Sequence, residues 1–315
     1  MTPLEPGDRL DQYRIDSLVT RSGMASVYRA TDIETGRPSA IKVPHPEAEC
    51  DIVFFQRFER EAAILREMDH PGVLKGMPEE DQSRVYLATE WVDGRLLREV
   101  LTTEGPFPPE RSTRIALAIC SALDYLHSHG VVHRDLKPEN VILDAEDRVK
   151  LIDFGIALRN GSRRLTFGRL SNVMGTAEYI SPEQVKGKRG DARSDVYALG
   201  VMLYEMLTGR TPFEGPNPLV VMNARLKTAP TPARKIDPTI SAELEAILNR
   251  AMARHPSDRY ATAREFAEDL RNPQSAALST APTPPQPLRK ALFYGGLALI
   301  PLTILALEFY VAFAS

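Results

Sequence analysis

The sequence predicts an α+β protein folded in two lobes: a small antiparallel-β lobe with one helix, then a larger, mainly helical lobe. A C-terminal membrane-spanning helix follows them. Three observations carry this. At 315 residues and 43% hydrophobic content the chain can bury a large core, and a chain of that size divides into two lobes. Residues 13–43 break into short β-type runs separated by turns, whereas the later segments show apolar residues at helical spacing. The stretch 291–314 is almost wholly apolar, interrupted only by Thr303 and Glu308.

In chain order, residues 13–19, 26–31 and 39–43 read as strands, with turns at 21–23 and 34–37. Residues 51–68 read as a helix whose apolar stripe is Phe54, Phe58, Leu65 and Met68. Glu61 falls on that stripe, and a carboxylate on a buried face demands a cation. His70-Pro71 stops the helix. Residues 84–92 alternate as a strand and run into the turn Asp93-Gly94.

Ile115, Ala118, Ile119, Ala122 and Leu126 form a second helical stripe, closed by Gly130, and residues 149–152 form another strand. Asp195 is expected to open a helix over 196–207 that is apolar nearly all round, hence buried, and that ends at Gly209. Thr262 with Glu265 predicts a capping box on the last helix.

Composition narrows the function. A net charge of −3 gives no electrostatic footprint for nucleic acid. The two cysteines, Cys50 and Cys120, lie far apart in no metal-ligand spacing, which fits a reducing compartment and no disulfide framework. No signal peptide is read at the N-terminus, and no internal repeat. His127 and His129, two residues apart, point to different helix faces, so no zinc site is read there. Residues 272–290, rich in Pro, Ser and Thr, read as a semi-extended linker. The 291–314 run, about 24 residues or 36 Å as helix, can cross a bilayer core of about 30 Å. Arg289 and Lys290 before it would hold the preceding chain in the cytoplasm. The competing reading is a hydrophobic helix docked on the soluble part.

The chemistry sits in a few segments. His133-Arg134-Asp135-Leu136-Lys137-Pro138-Glu139-Asn140 is followed by Asp153-Phe154-Gly155 and preceded, far upstream, by Ala40-Ile41-Lys42. Asp135 is a carboxylate able to orient a hydroxyl and accept its proton. Asn140 and Asp153 offer the hard oxygens that magnesium prefers.

In this order the segments resemble the serine/threonine protein kinases, specifically the bacterial Hanks-type ones, over residues 13–271 (small lobe about 13–92, large lobe about 95–271). The resemblance implies ATP with Mg2+ as cofactors, Asp135 as catalytic base, Lys137 near the γ-phosphate, and Asn140 and Asp153 as metal ligands. It places Val19, Gly23, Val27, Ala40, Lys42, Glu61, Glu90, Val92 and Leu143 around the nucleotide, with Glu61 holding Lys42, Thr89 as gatekeeper and 90–92 as hinge. It makes 156–182 an activation segment with Thr166, Ser171 and Thr176 as candidate phosphosites, a phosphate on Thr166 or Ser171 pairing with Arg134. Residues 175–183 then form the substrate-docking end, where Thr176 contacts Asp135 and Lys137. Structural roles fall to Glu183, pairing with Arg259, and to Asp195, capping the catalytic-loop backbone. Expected partners are protein substrates, the membrane, and a second copy for trans-autophosphorylation.

One departure stands out. The family's glycine-rich loop corresponds to Thr20-Arg21-Ser22-Gly23-Met24-Ala25-Ser26-Val27, with Thr20, Ser22 and Ala25 where glycines belong. Each added Cβ restricts the loop and predicts weaker ATP binding. A pseudokinase scaffold is the alternative this loop supports. A small-molecule phosphotransferase is a third reading, opposed by the docking segment.

Overall fold

The computed structural model describes residues 3–49, 51–78, 82–154, 158–159 and 177–274. The small lobe is a five-stranded antiparallel sheet in sequence order: β1 (Arg9–Leu10), β2 (Tyr13–Arg21), β3 (Ala25–Asp32), β4 (Pro38–Pro44) and β5 (Leu87–Glu90). Its register explains the burial pattern. Val27 lies opposite Lys42, and Ala40 opposite Thr89, so these four side chains share one face. Tyr28, Ile41, Val43 and Ala88 fall on the other face and build the lobe's own core with Tyr13, Ile15 and Tyr86. β5 is shorter than the expected 84–92 strand, because only Leu87 to Glu90 find partners on β4.

After the short helix α1 (Pro46–Glu49), α2 (Ile52–Glu67) is capped by Asp51, whose carboxylate accepts from the Val53 and Phe54 N–H groups. Its buried stripe, Phe58, Glu61, Ala62, Ile64 and Leu65, packs into the larger core rather than the small-lobe one.

The chain crosses to the large lobe at Gly94. A Cβ there would lie 2.5 Å from the Leu143 carbonyl oxygen, so only glycine fits. Trp91, just before it, has Arg29 over its ring at 4.9 Å, and its Nε1 donates to Asp93. Next come β6 (Arg95–Leu96), α3 (Leu97–Glu104), α4 (Pro109–Ser128) and β7 (Val131–Val132). β6 pairs with β8 (Val141–Leu143), and β8 with β9 (Val149–Leu151), while β10 (Leu158–Arg159) pairs with β7. The helices α5 (Pro182–Val185), α6 (Ala192–Thr208), α7 (Pro218–Lys227), α8 (Ala233–Ile236), α9 (Ala242–Ala251) and α10 (Ala263–Arg271) complete the lobe.

α6 is buried all round from Ser194 to Thr208 and ends at Gly209 in the left-handed region, φ 69°. It begins earlier than the sequence predicts. Asp191, not Asp195, is its N-cap, in a capping box with Ser194; Asp195 lies inside the first turn and is free for other partners. On α10 the expected capping box is half formed. Thr262 accepts from the Glu265 N–H, but the Glu265 carboxylate reaches the Ala261 N–H, one residue before the cap.

Among the described residues no helix is long and apolar enough to cross a membrane. The expected span 291–314, most of the linker, and Thr166, Ser171 and Thr176 lie outside the described residues.

Candidate active site

β4 and α2 bring Lys42 and Glu61 together at 2.7 Å, Nζ to Oε2. Burial works against charge on Lys42, but the Glu61 and Asp153 carboxylates outweigh it and raise its pKa. Burial likewise pushes Glu61 up, with Lys42 opposing. Asp153, about a hundred residues along, thus stands within electrostatic reach of the pair. Thr89 is buried behind Ala40, while Leu143 is buried beneath the connector.

The catalytic-loop segment has an unusual backbone. Arg134 has φ 68° and Asp153 φ 63°, a conformation that costs an arginine on the order of 1 kcal/mol or more. Asp195 holds it in place. Its carboxylate accepts from the His133 N–H (2.9 Å), the Arg134 N–H (2.7 Å) and His127 Nε2 (2.8 Å). Burial alone would raise the pKa of Asp195; His127, His133 and the Arg134 N–H together lower it. Gln184 adds a clamp from α5, donating to the Arg134 carbonyl at 3.1 Å. His133 is fully buried against the Phe154 ring, a packing residue as the sequence suggests.

This frame presents Asp135 in a defined state. Lys137 Nζ donates to its Oδ2 at 2.7 Å, and Asn140 Nδ2 donates to its carbonyl (2.7 Å) and to Oδ2 (3.3 Å). Oδ1 is buried and accepts no hydrogen bond. Burial pushes the Asp135 carboxyl up, Lys137 pulls it down, and Asp153 is near enough to raise it. Asn140 spends its Nδ2 on Asp135, so its amide oxygen is the atom left for a cation, and Asp153 carries an exposed carboxylate. One amide and one carboxylate oxygen suit magnesium, which takes its remaining ligands from phosphate and water. The expected Glu183–Arg259 pair is bidentate, at 2.7 and 2.8 Å, with Ser194 also donating to Glu183.

At the expected hinge the Glu90 N–H donates to the Lys75 carbonyl at 3.0 Å. The Glu90 side chain is turned to Lys150 Nζ (2.7 Å) and the Lys75 N–H (3.0 Å). Val19 sits where the β2–β3 pairing is irregular and is 50% exposed. The turn after β2 is tied to itself: Ser22 Oγ accepts from the Met24 and Ala25 N–H groups (3.3 and 3.1 Å) and donates to the Ala25 carbonyl (3.0 Å). Gly23 is exposed in that turn. A serine two and three residues before the N–H groups it captures is a local signal, and the sequence reading missed it.

Other groups were invisible because their partners are distant. Arg98 on α3 bonds Glu139 (2.8 Å) and Glu205 (2.7 Å) and touches the Tyr179 hydroxyl, fixing α3, α6 and the catalytic-loop segment together. Arg60 of α2 and Arg189 lie close enough to Arg134 to lower its pKa, after burial as the largest cause. Two nitrogens of Arg134, Nε and Nη1, are buried without a hydrogen-bond partner.

The family profile described as "Protein kinase domain" matches residues 13–270. The chain belongs to the protein kinase family. The kinase is 39% identical over 294 residues to the probable serine/threonine-protein kinase PknB of Corynebacterium glutamicum, covering 88% of this chain and 46% of that one. It is 38% identical over 277 residues to serine/threonine-protein kinase PknB of Mycobacterium leprae, covering 86% and 44%. Among solved structures, the PknI kinase domain of Mycobacterium tuberculosis superposes with a TM-score of 0.66 at 28% identity, covering 86% of the kinase and all of that domain. The chain spans less than half the length of the curated relatives it matches.

Proposed function

We propose that the chain is an ATP-dependent serine/threonine protein kinase that phosphorylates protein hydroxyls, its own activation segment included. The observation that carries the reading is Asp135: one carboxylate oxygen held by Lys137 and Asn140, the other buried with no hydrogen-bond partner. A substrate hydroxyl donating to the Asp135 carboxylate is oriented for in-line attack and gives up its proton to it late in transfer. Lys137 lies beside it to balance charge developing on the γ-phosphate, and Lys42, kept protonated by Glu61, grips the α- and β-phosphates. Magnesium held by Asn140 and Asp153 supplies charge neutralisation at the phosphates. The sequence resemblance to serine/threonine kinases, and the lysine two residues after the aspartate, support Ser/Thr over Tyr as acceptor.

Around this core the finer parts of the reading follow. A phosphate on Thr166 or Ser171 docks on Arg134, with Arg60 and Arg189 near enough to add positive charge, and Thr176 is a further phosphosite candidate. The run 291–314 anchors the kinase in the membrane with its catalytic lobes in the cytoplasm, and a second copy serves as substrate in trans. The self-bonded Ser22 turn weakens ATP binding without removing any group that acts on the phosphates; the scaffold alternative rests on that turn alone.

The test is labelling with γ-phosphate from Mg-ATP, on the protein itself and on a basic model protein. Wild type incorporates label and Asp135→Asn does not. Equal, background-level labelling of both overturns the reading in favour of a scaffold. Phosphate mapped to Thr166, Ser171 or Thr176 by mass spectrometry supports the regulatory part.

A further inference from the structure

The chain carries a net charge of −3, yet one cleft on the large lobe is ringed by cations. It holds 350 Å³ between α5, the 186–191 segment after it and residues 254–256 after α9. That volume is at the lower end of the roughly 300–1,000 Å³ typical of ligand sites. Lys186, Lys188, Arg254 and His255 line it, all of them exposed. The Lys186 and Lys188 ammonium groups meet no carboxylate among the described residues. Arg254 donates once, from Nη2 to the Thr228 carbonyl at 3.0 Å. Two carboxylates also line the cleft, and both are engaged. Glu183 is neutralised by the bidentate Arg259 and accepts from Ser194, while Asp191 accepts from the Arg193 N–H (2.9 Å) as the N-cap of α6. Three permanent cations therefore face one uncompensated carboxylate, itself turned to a helix end.

The walls are fixed before any guest arrives. Arg259, 3% exposed, donates to the Glu183 carboxylate on one wall and to the Ala253 (2.7 Å) and Arg254 (3.2 Å) carbonyls on the other. The cleft is also joined to the chemistry. The carbonyl of Gly190, a lining residue, accepts from Arg134 Nη2 at 3.2 Å, and Arg134 immediately precedes Asp135. Gln184 of α5 holds the Arg134 carbonyl. Upstream of α5, Arg225 of α7 donates to the Ala177, Glu178 and Ile180 carbonyls. It so fixes the stretch that, on the kinase reading, receives the protein substrate. A polypeptide lying on 177–180 and continued toward α5 meets Pro182 and Glu183, where the cleft begins.

We infer that this cleft is a docking site for an acidic segment of the protein substrate, separate from the residues around its acceptor hydroxyl. Fixed, exposed cations in a concave place favour Asp and Glu side chains and disfavour Lys and Arg, through encounter rate and partner choice. Concavity favours a peptide over a lipid surface, which lies flat and does not enter between α5 and 254–256. Continuity with 177–183 favours a substrate over an unrelated partner. The inference rests on the kinase function proposed above and deepens it by naming a substrate class. Lys186, Lys188 and Arg254 touch neither nucleotide nor acceptor, so their effect falls on substrate binding and not on transfer.

The test compares three serine peptides, identical except for a short tail of Asp, Asn or Lys joined through a glycine linker. Each is assayed for phosphorylation, and for binding by fluorescence anisotropy, with the full chain in neutral detergent micelles. KM for the Asp-tailed peptide is expected about fivefold below that for the Asn-tailed one, the scale of two or three exposed ion pairs. The Lys-tailed peptide is the weakest, kcat is alike for all three, and added salt narrows the gap. Lys186→Gln with Lys188→Gln, both at exposed positions, erases most of the gap, and Lys186→Glu with Lys188→Glu reverses its order. The Asn-tailed peptide and ATP keep their KM values in each double variant, and anisotropy follows the same ranking. Equal KM and equal binding for the three tails, or a gap that survives both double variants, overturns the site. A difference between wild type and double variant seen only when phosphatidylserine is added to the micelles, and the same for every tail, assigns the face to the lipid surface and also overturns it. Failure of the kinase reading shows separately: no peptide is labelled at all, while tail-selective anisotropy still reports on the cleft.

Discussion

The catalytic-loop segment and the turn after β2 are held by opposite means. The 133–140 stretch takes a costly backbone and is held in it from far away: Asp195 on α6, Gln184 on α5, and Arg98 on α3 through Glu139. The 20–25 stretch is exposed up to Met24 and held mostly by itself, through one serine hydroxyl and its own next three residues, with one tie to the end of β4 from the His45 N–H to the Met24 carbonyl. The first is a product of the whole large lobe, while the second is a product of its own sequence. The lesson concerns where tuning is cheap. Changing the catalytic loop disturbs several elements at once; changing the turn reaches no further than the end of β4.

The largest expected effect is at the far-held side. Asp135→Asn should lower phosphate transfer by about 10³-fold or more, with ATP binding by calorimetry little changed. A variant retaining a tenth of wild-type transfer would break the assignment of the Asp135 carboxylate as the proton acceptor. Lys42→Met, on the opposite wall, removes the cation that Glu61 balances and leaves a buried carboxylate unpaired. Transfer should fall by about 10²-fold, a loss of roughly 3 kcal/mol in transition-state stabilisation, and the protein should lose melting temperature as well.

A stability measurement sharpens the comparison further. Burial alone would raise the Glu183 carboxyl, but Arg259 and Ser194 override it and hold it down at about 2. A depressed folded-state value means the stabilisation is present above the ordinary glutamate value of 4.5 and fades as pH falls toward 2. Glu183→Gln should therefore cost about 3 kcal/mol at neutral pH and much less near pH 2, read from denaturant melts at both. A cost independent of pH would mean the pair contributes packing rather than charge. The smallest effect belongs to the self-held side. Ser22→Gly frees two N–H groups toward the phosphates and should tighten ATP binding by about threefold to tenfold, near 1 kcal/mol, with kcat per phosphorylated enzyme unchanged. If ATP binding weakens instead, the turn is an aid to the nucleotide rather than an obstacle.

Legibility from sequence followed the same division. The five polar groups at Lys42, Glu61, Asp135, Asn140 and Asp153 were readable because the resemblance assigns each a place, and Glu61 also betrays itself as a charge on an apolar stripe. The Glu183–Arg259 pair was readable for the same reason. Helix α6 was placed correctly along most of its length, but its start was not: Asp191 and Asp195 are both credible caps, and only the buried demand of the His133 and Arg134 N–H groups distinguishes them. His127, Gln184, Arg98 and Arg225 carry no local mark, since what each does is defined by a partner some 45 to 107 residues away. The Ser22 turn is the exception, a short-range device that a closer look at serine chemistry would have disclosed.

The chain has one tryptophan, and it sits in the connector between the lobes with the Arg29 guanidinium 4.9 Å from its ring. Arg29 rides on β3, two strands from β5, so loosening of the sheet at this edge moves a positive charge off the indole face. Emission from Trp91 is thus a built-in optical gauge of the small-lobe edge beside the connector, readable by stopped flow without a label.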